Sequence, residues 1–196
     1  DYPVEALQTM VKIASRTEQD INYMSRLKKR GILTNPDITN AIAHATCTTA
    51  MDLNASAIIT VSNSGRTARM VSKYRPACPI IGCSVNEDVC RKLNMSWGVT
   101  PLLVELKHNS DELFDHAVDK AEEMGLIEQG EIVVLTAGVP LGISGTTNMI
   151  KVHVAGHILM QGKGLTDKSA AANLCVISSP EELKEKFKEG DIIVAR

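Results

Sequence analysis

The chain is poor in aromatic residues, with one Trp, three Tyr and two Phe among 196 residues. That excludes a base-stacking platform of the kind single-stranded nucleic acid requires. It also lacks a charge excess, and a formal net charge of −2 argues against a general nucleic-acid binder. No apolar run approaches the roughly 20 residues that cross a bilayer, and no signal peptide is legible. The five cysteines (Cys47, Cys78, Cys83, Cys90 and Cys175) are odd in number and hold no C-x-x-C pair. They read as free thiols in a reducing cytoplasm, not as a disulfide frame or a zinc site. The histidines at 44, 108, 116, 153 and 157 show no ligand spacing with a cysteine or carboxylate. His153 and His157 are four apart, which suits a surface or an interface better than a metal. No nucleophile, base and acid stand out together, and neither a Walker loop nor a G-x-G-x-x-G turn is present. Residue chemistry describes a binder, with no metal site and no catalyst.

What is present is a 44% hydrophobic composition and an alternating pattern. Val4, Leu7, Val11 and Ala14 recur at helical spacing behind Pro3. Residues 15 to 34 are polar and read as a connection, with one further helical turn around 21 to 27. Asn35 is the expected N-cap of the next helix, with Pro36 and Asp37 in its first turn. Strand candidates then follow at 55 to 61, 79 to 84, 98 to 104, 131 to 137 and 149 to 155. The third carries Pro101, which predicts a short or edge strand. The fifth alternates Ile150, Val152 and Val154 with Lys151 and His153, a half-exposed edge pattern. Helices are expected from 66 to 74, from about Asn86, and from a Ser110 cap to Gly125.

This order predicts an α/β fold: a three-layer, doubly wound, mostly parallel sheet of about five strands. Helices cover both faces and the last strand is an antiparallel edge. The expected division is 1–34 (a helix and connection), 35–158 (the α/β domain) and 159–196 (a linker and an incomplete further domain). In the last part, "NLCVI" and "GDIIVA" flank a capping box of Ser179 and Glu182 around Pro180. The chain opens at Asp1 and stops inside an apolar stretch, which reads as a piece of something longer.

Two loops carry the chemistry. Ser62, Asn63, Ser64, Gly65, Arg66 and Thr67 join the first strand to its helix, at the strand end where open α/β sheets bind ligands. Helix N–H groups and the helix dipole favour an anion there. Gly65 would allow close backbone approach, the hydroxyls can donate, and Arg66 and Arg69 can add charge. The second loop, "TAGVPLGISGTTN" (136 to 148), opens on the same edge and contains Ser144 and Gly145. A tight turn and a long connection are the competing readings of the two loops.

"SNSGRTARMVSKYRP" and "GVPLGISGTTNMIKVH" resemble the two effector loops of the pyruvate kinase C-terminal regulatory domain. "DYPVEALQTMVKIA" resembles the last helix of that family's catalytic barrel. The tail from Gly162 is similar to the start of an extra phosphohistidine-type domain of some bacterial members. The resemblance covers essentially the whole chain. It implies a cytoplasmic homotetrameric parent that moves phosphate from phosphoenolpyruvate to ADP with magnesium and potassium. The catalytic residues lie in a barrel absent here, so no cofactor and no activity are expected of this chain alone. It further implies a phosphorylated effector held by Ser62, Asn63, Ser64, Gly65 and Thr67, with Ser144 and Gly145 in the second loop. Arg66 lies inside the motif but varies in type across the family. No Trp/Arg pair precedes the second loop, and Trp97 reads as packed. AMP, ribose 5-phosphate and fructose 1,6-bisphosphate therefore all stay open as ligands. A free-standing sugar-phosphate-binding or isomerase-type domain and a pure oligomerisation module are the alternatives, with neither nucleic acid nor membrane as partner.

Overall fold

The computed structural model describes residues 2–30, 37–107, 109–139, 147–156 and 172–195. Two units are present, residues 1–156 and 157–196. In the first, helices α1 (Pro3–Gln19), α2 (Tyr23–Arg30) and α3 (Ile38–Asp52) precede the sheet. Five strands follow: β1 (Ala57–Val61), β2 (Ile80–Ser84), β3 (Val99–Leu103), β4 (Ile132–Ala137) and β5 (Met149–Val154). Helices α4 (Arg66–Tyr74), α5 (Glu87–Leu93) and α6 (Ser110–Glu123) connect the first four. The sheet order is β3-β2-β1-β4-β5, parallel except for the antiparallel pair β4 and β5. Pro101 does lie on the edge strand β3, where a missing N–H is tolerated.

Strand order reverses between β1 and β4, because the chain runs outward through β2 and β3 before returning to β1's other side. Apolar side chains alternate between two cores. Ile59, Val61, Val133 and Leu135 pack beneath α6 with Phe114, Ala117 and Val118. Ile58, Ile80 and Val134 face α3 and α4 with Cys47, Val71 and Tyr74, and Leu27 of α2 joins this side. Gly82 in β2 leaves room for Leu93 of α5 and Ala68 of α4; a Cβ there would stand 2.9 Å from Leu93.

Several local expectations are corrected. The connection expected over 15 to 34 is largely helical, as α1 runs to Gln19 and α2 starts at Tyr23. Asp37 is the N-cap of α3 and not a first-turn residue, because its carboxylate accepts from the Asn40 N–H at 2.9 Å. Asn35 and Pro36 lie outside the described residues. Asn109, not Ser110, caps α6: its Oδ1 accepts from the Glu112 N–H at 2.8 Å and its Nδ2 donates to the Glu112 carboxylate at 2.7 Å. The half-exposed edge expected of β5 is present, with the lysine and not the valines on its more covered side. Lys151 lies half-buried over the Phe114 ring, 5.8 Å from its centroid, and reaches Asp111 at 3.4 Å. Val152 and Val154 are the exposed residues, at 48% and 42%.

Helix α1 buries none of its residues among those described, and Val4, Leu7, Val11 and Ile13 are all exposed. The second unit holds parallel strands β6 (Leu174–Ile177) and β7 (Ile192–Ala195) joined through helix α7 (Pro180–Lys186). Ser179 occupies the N-cap position of α7 without a side-chain bond, so the expected capping box is not closed. Glu182 reaches past it to the Ser178 N–H at 3.0 Å and also takes Lys186 at 3.1 Å. Cys175 and Ile177 are buried, whereas Leu174 and Val176 on the other face are half exposed.

Candidate functional site

The carboxyl ends of β1 and β4 lie side by side at the point where strand order reverses, the position at which open α/β sheets leave a crevice. The first loop leaves β1 still paired, the Ser62 N–H donating to the Cys83 carbonyl at 3.1 Å. Gly65 then turns the chain at φ +68 and becomes the N-cap of α4. A glycine cap brings no side chain to the first N–H groups of the helix, which have no intrahelical acceptor. The Arg69 N–H closes the first helical bond on the Gly65 carbonyl at 3.2 Å. Among the described residues the N-terminus of α4, beside the carboxyl ends of β1 and β4, has no side-chain cap and no acidic first turn.

Gly65 also meets a packing demand from behind the loop. A Cβ on it would sit 2.9 Å from Val89 Cγ1, 3.1 Å from Leu93 Cδ2 and 3.2 Å from Arg69 Nη1. The space is filled by α5 from behind, so the glycine lets the loop lie flat on that helix. Arg69 folds back and donates to the Ser64 carbonyl at 3.1 Å, fixing the loop from above. Asn63 and Arg66 are exposed, Ser62 and Ser64 are half-buried, and Gly65 and Thr67 are buried. The loop is therefore only partly a surface feature.

Thr67 Oγ1 lies 2.7 Å from Thr147 Oγ1, which joins the first loop to the root of the second across 80 residues of sequence. Each threonine is 3% exposed. Asn148 clips that root: its Oδ1 accepts from the Val139 N–H at 2.8 Å and its Nδ2 donates to the Val139 carbonyl at 2.6 Å. The Asn148 N–H adds a bond to the Ala137 carbonyl at 3.1 Å. Ser144 and Gly145 lie outside the described residues. Sequence reasoning passed over Asn148 and gave Thr147 no role. The only local signal was an amide side chain directly before a strand, a position where Asn commonly bonds nearby backbone.

The remaining candidates are structural. Trp97 packs between Tyr23, 6.0 Å between ring centroids, and the Arg75 guanidinium, 5.3 Å above its ring. His44 stands edge-on to Tyr74, and His116 accepts from the Glu105 N–H at 3.2 Å. Burial pushes the Cys47 thiol up to about 12, with neighbouring Cys78 adding to it; burial likewise pushes Cys78 up to about 11 and Cys83 upward. Thiols held protonated at neutral pH are poor nucleophiles. No group of three His, Cys, Asp or Glu that could hold a metal forms among the described residues. None of their helices is long and apolar enough to cross a membrane. A cavity of about 590 Å³ lies at the opposite, amino-terminal edge of the sheet, lined in part by Ile21, Tyr23, Met51, Asn54 and Cys78.

Comparison with known proteins agrees with this architecture. The family described as "Pyruvate kinase, alpha/beta domain" matches residues 40–153. A pyruvate kinase of Geobacillus stearothermophilus is 43% identical over 193 residues, 98% of this chain and 33% of the relative. One of Clostridium acetobutylicum is 50% identical over 153 residues, 78% of this chain and 32% of the relative. The crystal structure of a pyruvate kinase from Cryptosporidium parvum superposes with a TM-score of 0.68 at 28% identity, over 80% of this chain and 31% of that one. The chain spans about a third of the length of the curated relatives it matches. It belongs to the pyruvate kinase family, as a chain built around that family's C-terminal α/β domain.

Proposed function

We propose that the chain is the effector-binding and assembly domain of a cytoplasmic pyruvate kinase, and that it binds a phosphorylated metabolite at the open N-terminus of α4. The parent reaction on this reading is phosphoryl transfer from phosphoenolpyruvate to ADP. The observation that carries the effector role is the helix start at Gly65, without a side-chain cap among the described residues, placed at the strand-order reversal and tied to the second loop through Thr67 and Thr147. Backbone N–H groups of α4 and the hydroxyls of Ser62, Ser64 and Thr67 hold the phosphate. Asn63 and Arg66 border it, and Ser144 and Gly145 contribute from the second loop. Occupancy shifts the parent enzyme only by the difference in affinity between its two states, typically 1–3 kcal/mol of coupling. The family implies magnesium and potassium for the parent reaction; no group of three His, Cys, Asp or Glu that could hold a metal forms among the described residues.

Calorimetric titration with sulfate, AMP, ribose 5-phosphate and fructose 1,6-bisphosphate tests the effector reading. Saturable binding of at least one phosphorylated ligand is expected. Silence from all four removes the effector role and leaves an assembly module. Trp97 is already engaged by Tyr23 and Arg75, so the second phosphate of fructose 1,6-bisphosphate gains nothing from it.

Assembly rests on β5, the sheet's outer strand among the described residues, whose exposed Val152 and Val154 give its edge an apolar border. A second copy can pair along it about a two-fold axis, as one contact of the homotetramer. Sedimentation should show self-association that a Val152→Lys, Val154→Lys double variant weakens at least tenfold. A parent chain that stays monomeric at high concentration contradicts this.

A further inference from the structure

The buried pair Thr67 and Thr147 does more than hold two segments together. A hydroxyl has one proton to donate and two lone pairs to receive with. At 2.7 Å the two oxygens share a short O–H···O bond, and either can be the donor. Only one of the two protons is used in that contact. Thr67 is the second residue of α4, so its oxygen lies at the open helix start, while Thr147 lies behind it beside the Asn148 clip.

We infer that an anion seated at the α4 N-terminus fixes the direction of this bond, and that Thr147 is thereby a positioning residue for the site. The inference rests on the effector reading above. Thr67 turns its single proton to the anion, and its freed lone pair takes the proton of Thr147. The result is a chain running Thr147 to Thr67 to anion. Hydrogen bonds in series polarise one another, and a charged terminus makes each one stronger. The added strength falls on the contact that secures Thr147, and through its neighbour Asn148 on the bonds to Val139 and Ala137. Occupancy of the first loop therefore tightens the root of the second without any ligand atom reaching it.

The test uses the full chain, inorganic phosphate as probe, and amide hydrogen exchange at Val139 and Asn148. Saturating phosphate should slow exchange at both amides by up to about twofold, the effect of strengthening one buried hydrogen bond by about a fifth. Thr147→Val keeps the shape but has no proton to give; it should still bind phosphate by calorimetry, with the exchange response lost. Thr147→Ser should restore the response, which a merely space-filling residue would not require. Equal slowing in the parent chain and Thr147→Val overturns the inference alone, as does an unchanged exchange rate in a phosphate-bound parent chain. A parent chain that binds no phosphate overturns the inference together with the effector reading. Should Thr147→Val melt early, Thr147→Ala read against Thr147→Ser gives the same comparison.

Discussion

Gly65→Ala should cost the α/β unit about 2–5 kcal/mol and lower its melting temperature by roughly 10 °C. Two terms add. The residue sits at φ +68, in the left-handed region, where a side chain costs about 1–2 kcal/mol. The new methyl would also stand 2.9 Å from Val89 and 3.1 Å from Leu93, and forcing extra volume into a packed site costs about 1–3 kcal/mol. Leu93 has little freedom to yield, since it is fully buried and also fills the space above Gly82. Gly65→Asn separates the terms, because asparagine tolerates the left-handed region but carries the same Cβ. Equal losses for Ala and Asn would assign the effect to the clash with α5. Recovery of more than half by Asn would assign it to backbone strain. A Gly65→Ala melting temperature within about 2 °C of the parent would mean the loop slides off α5 freely, and the account of its fixed shape would fail.

The fold was legible where one local signal had one meaning. Short runs rich in β-branched residues, such as "AIITV" and "IVVLT", read as strands buried on both faces, and helices between them favour parallel pairing. Pro101 marked a short or edge strand before any pairing was known, and the edge is what forms. Legibility failed where two adjacent residues could each do a job. Asn109 and Ser110 are both good caps, and the choice fell to the amide because it can bond the Glu112 N–H and carboxylate together. Asn35 and Asp37 posed the same choice at α3. The sense of exposure along β5 was hidden as well. A lysine reads as solvated, but here its stem lies on Phe114 while the valines border the edge. Contacts between distant segments were the least readable. Gly65 looked like a glycine kept bare for a ligand, and its packing against α5 could not be read from the loop itself. Thr147 sits 80 residues from Thr67, and no periodicity reports such a pair.

Ser64→Asp should abolish phosphate binding while leaving the unit folded. A carboxylate about 4 Å from a phosphate oxygen, at the effective dielectric of a protein surface, opposes each unit of charge by about 4 kcal/mol. That is close to a thousandfold in affinity. Ser64 is half-buried, its carbonyl accepts from Arg69, and an aspartate side chain has solvent within reach. Stability should therefore stay within about 0.5 kcal/mol of the parent. Thr67→Asp does not offer this clean separation, although both residues belong to the same loop. Thr67 is 3% exposed and bonded to Thr147, so a carboxylate there is buried and the fold suffers with the binding. Ser64→Ala completes the series, since removing one hydroxyl forfeits about 0.5–1.5 kcal/mol, a loss of up to about tenfold. Calorimetry on the four chains, with melting curves alongside, should rank binding as parent, Ser64→Ala, then Ser64→Asp, with Thr67→Asp alone melting early. If phosphate binds Ser64→Asp as tightly as the parent, the anion sits somewhere other than the start of α4, and the loop from 62 to 67 is only a turn.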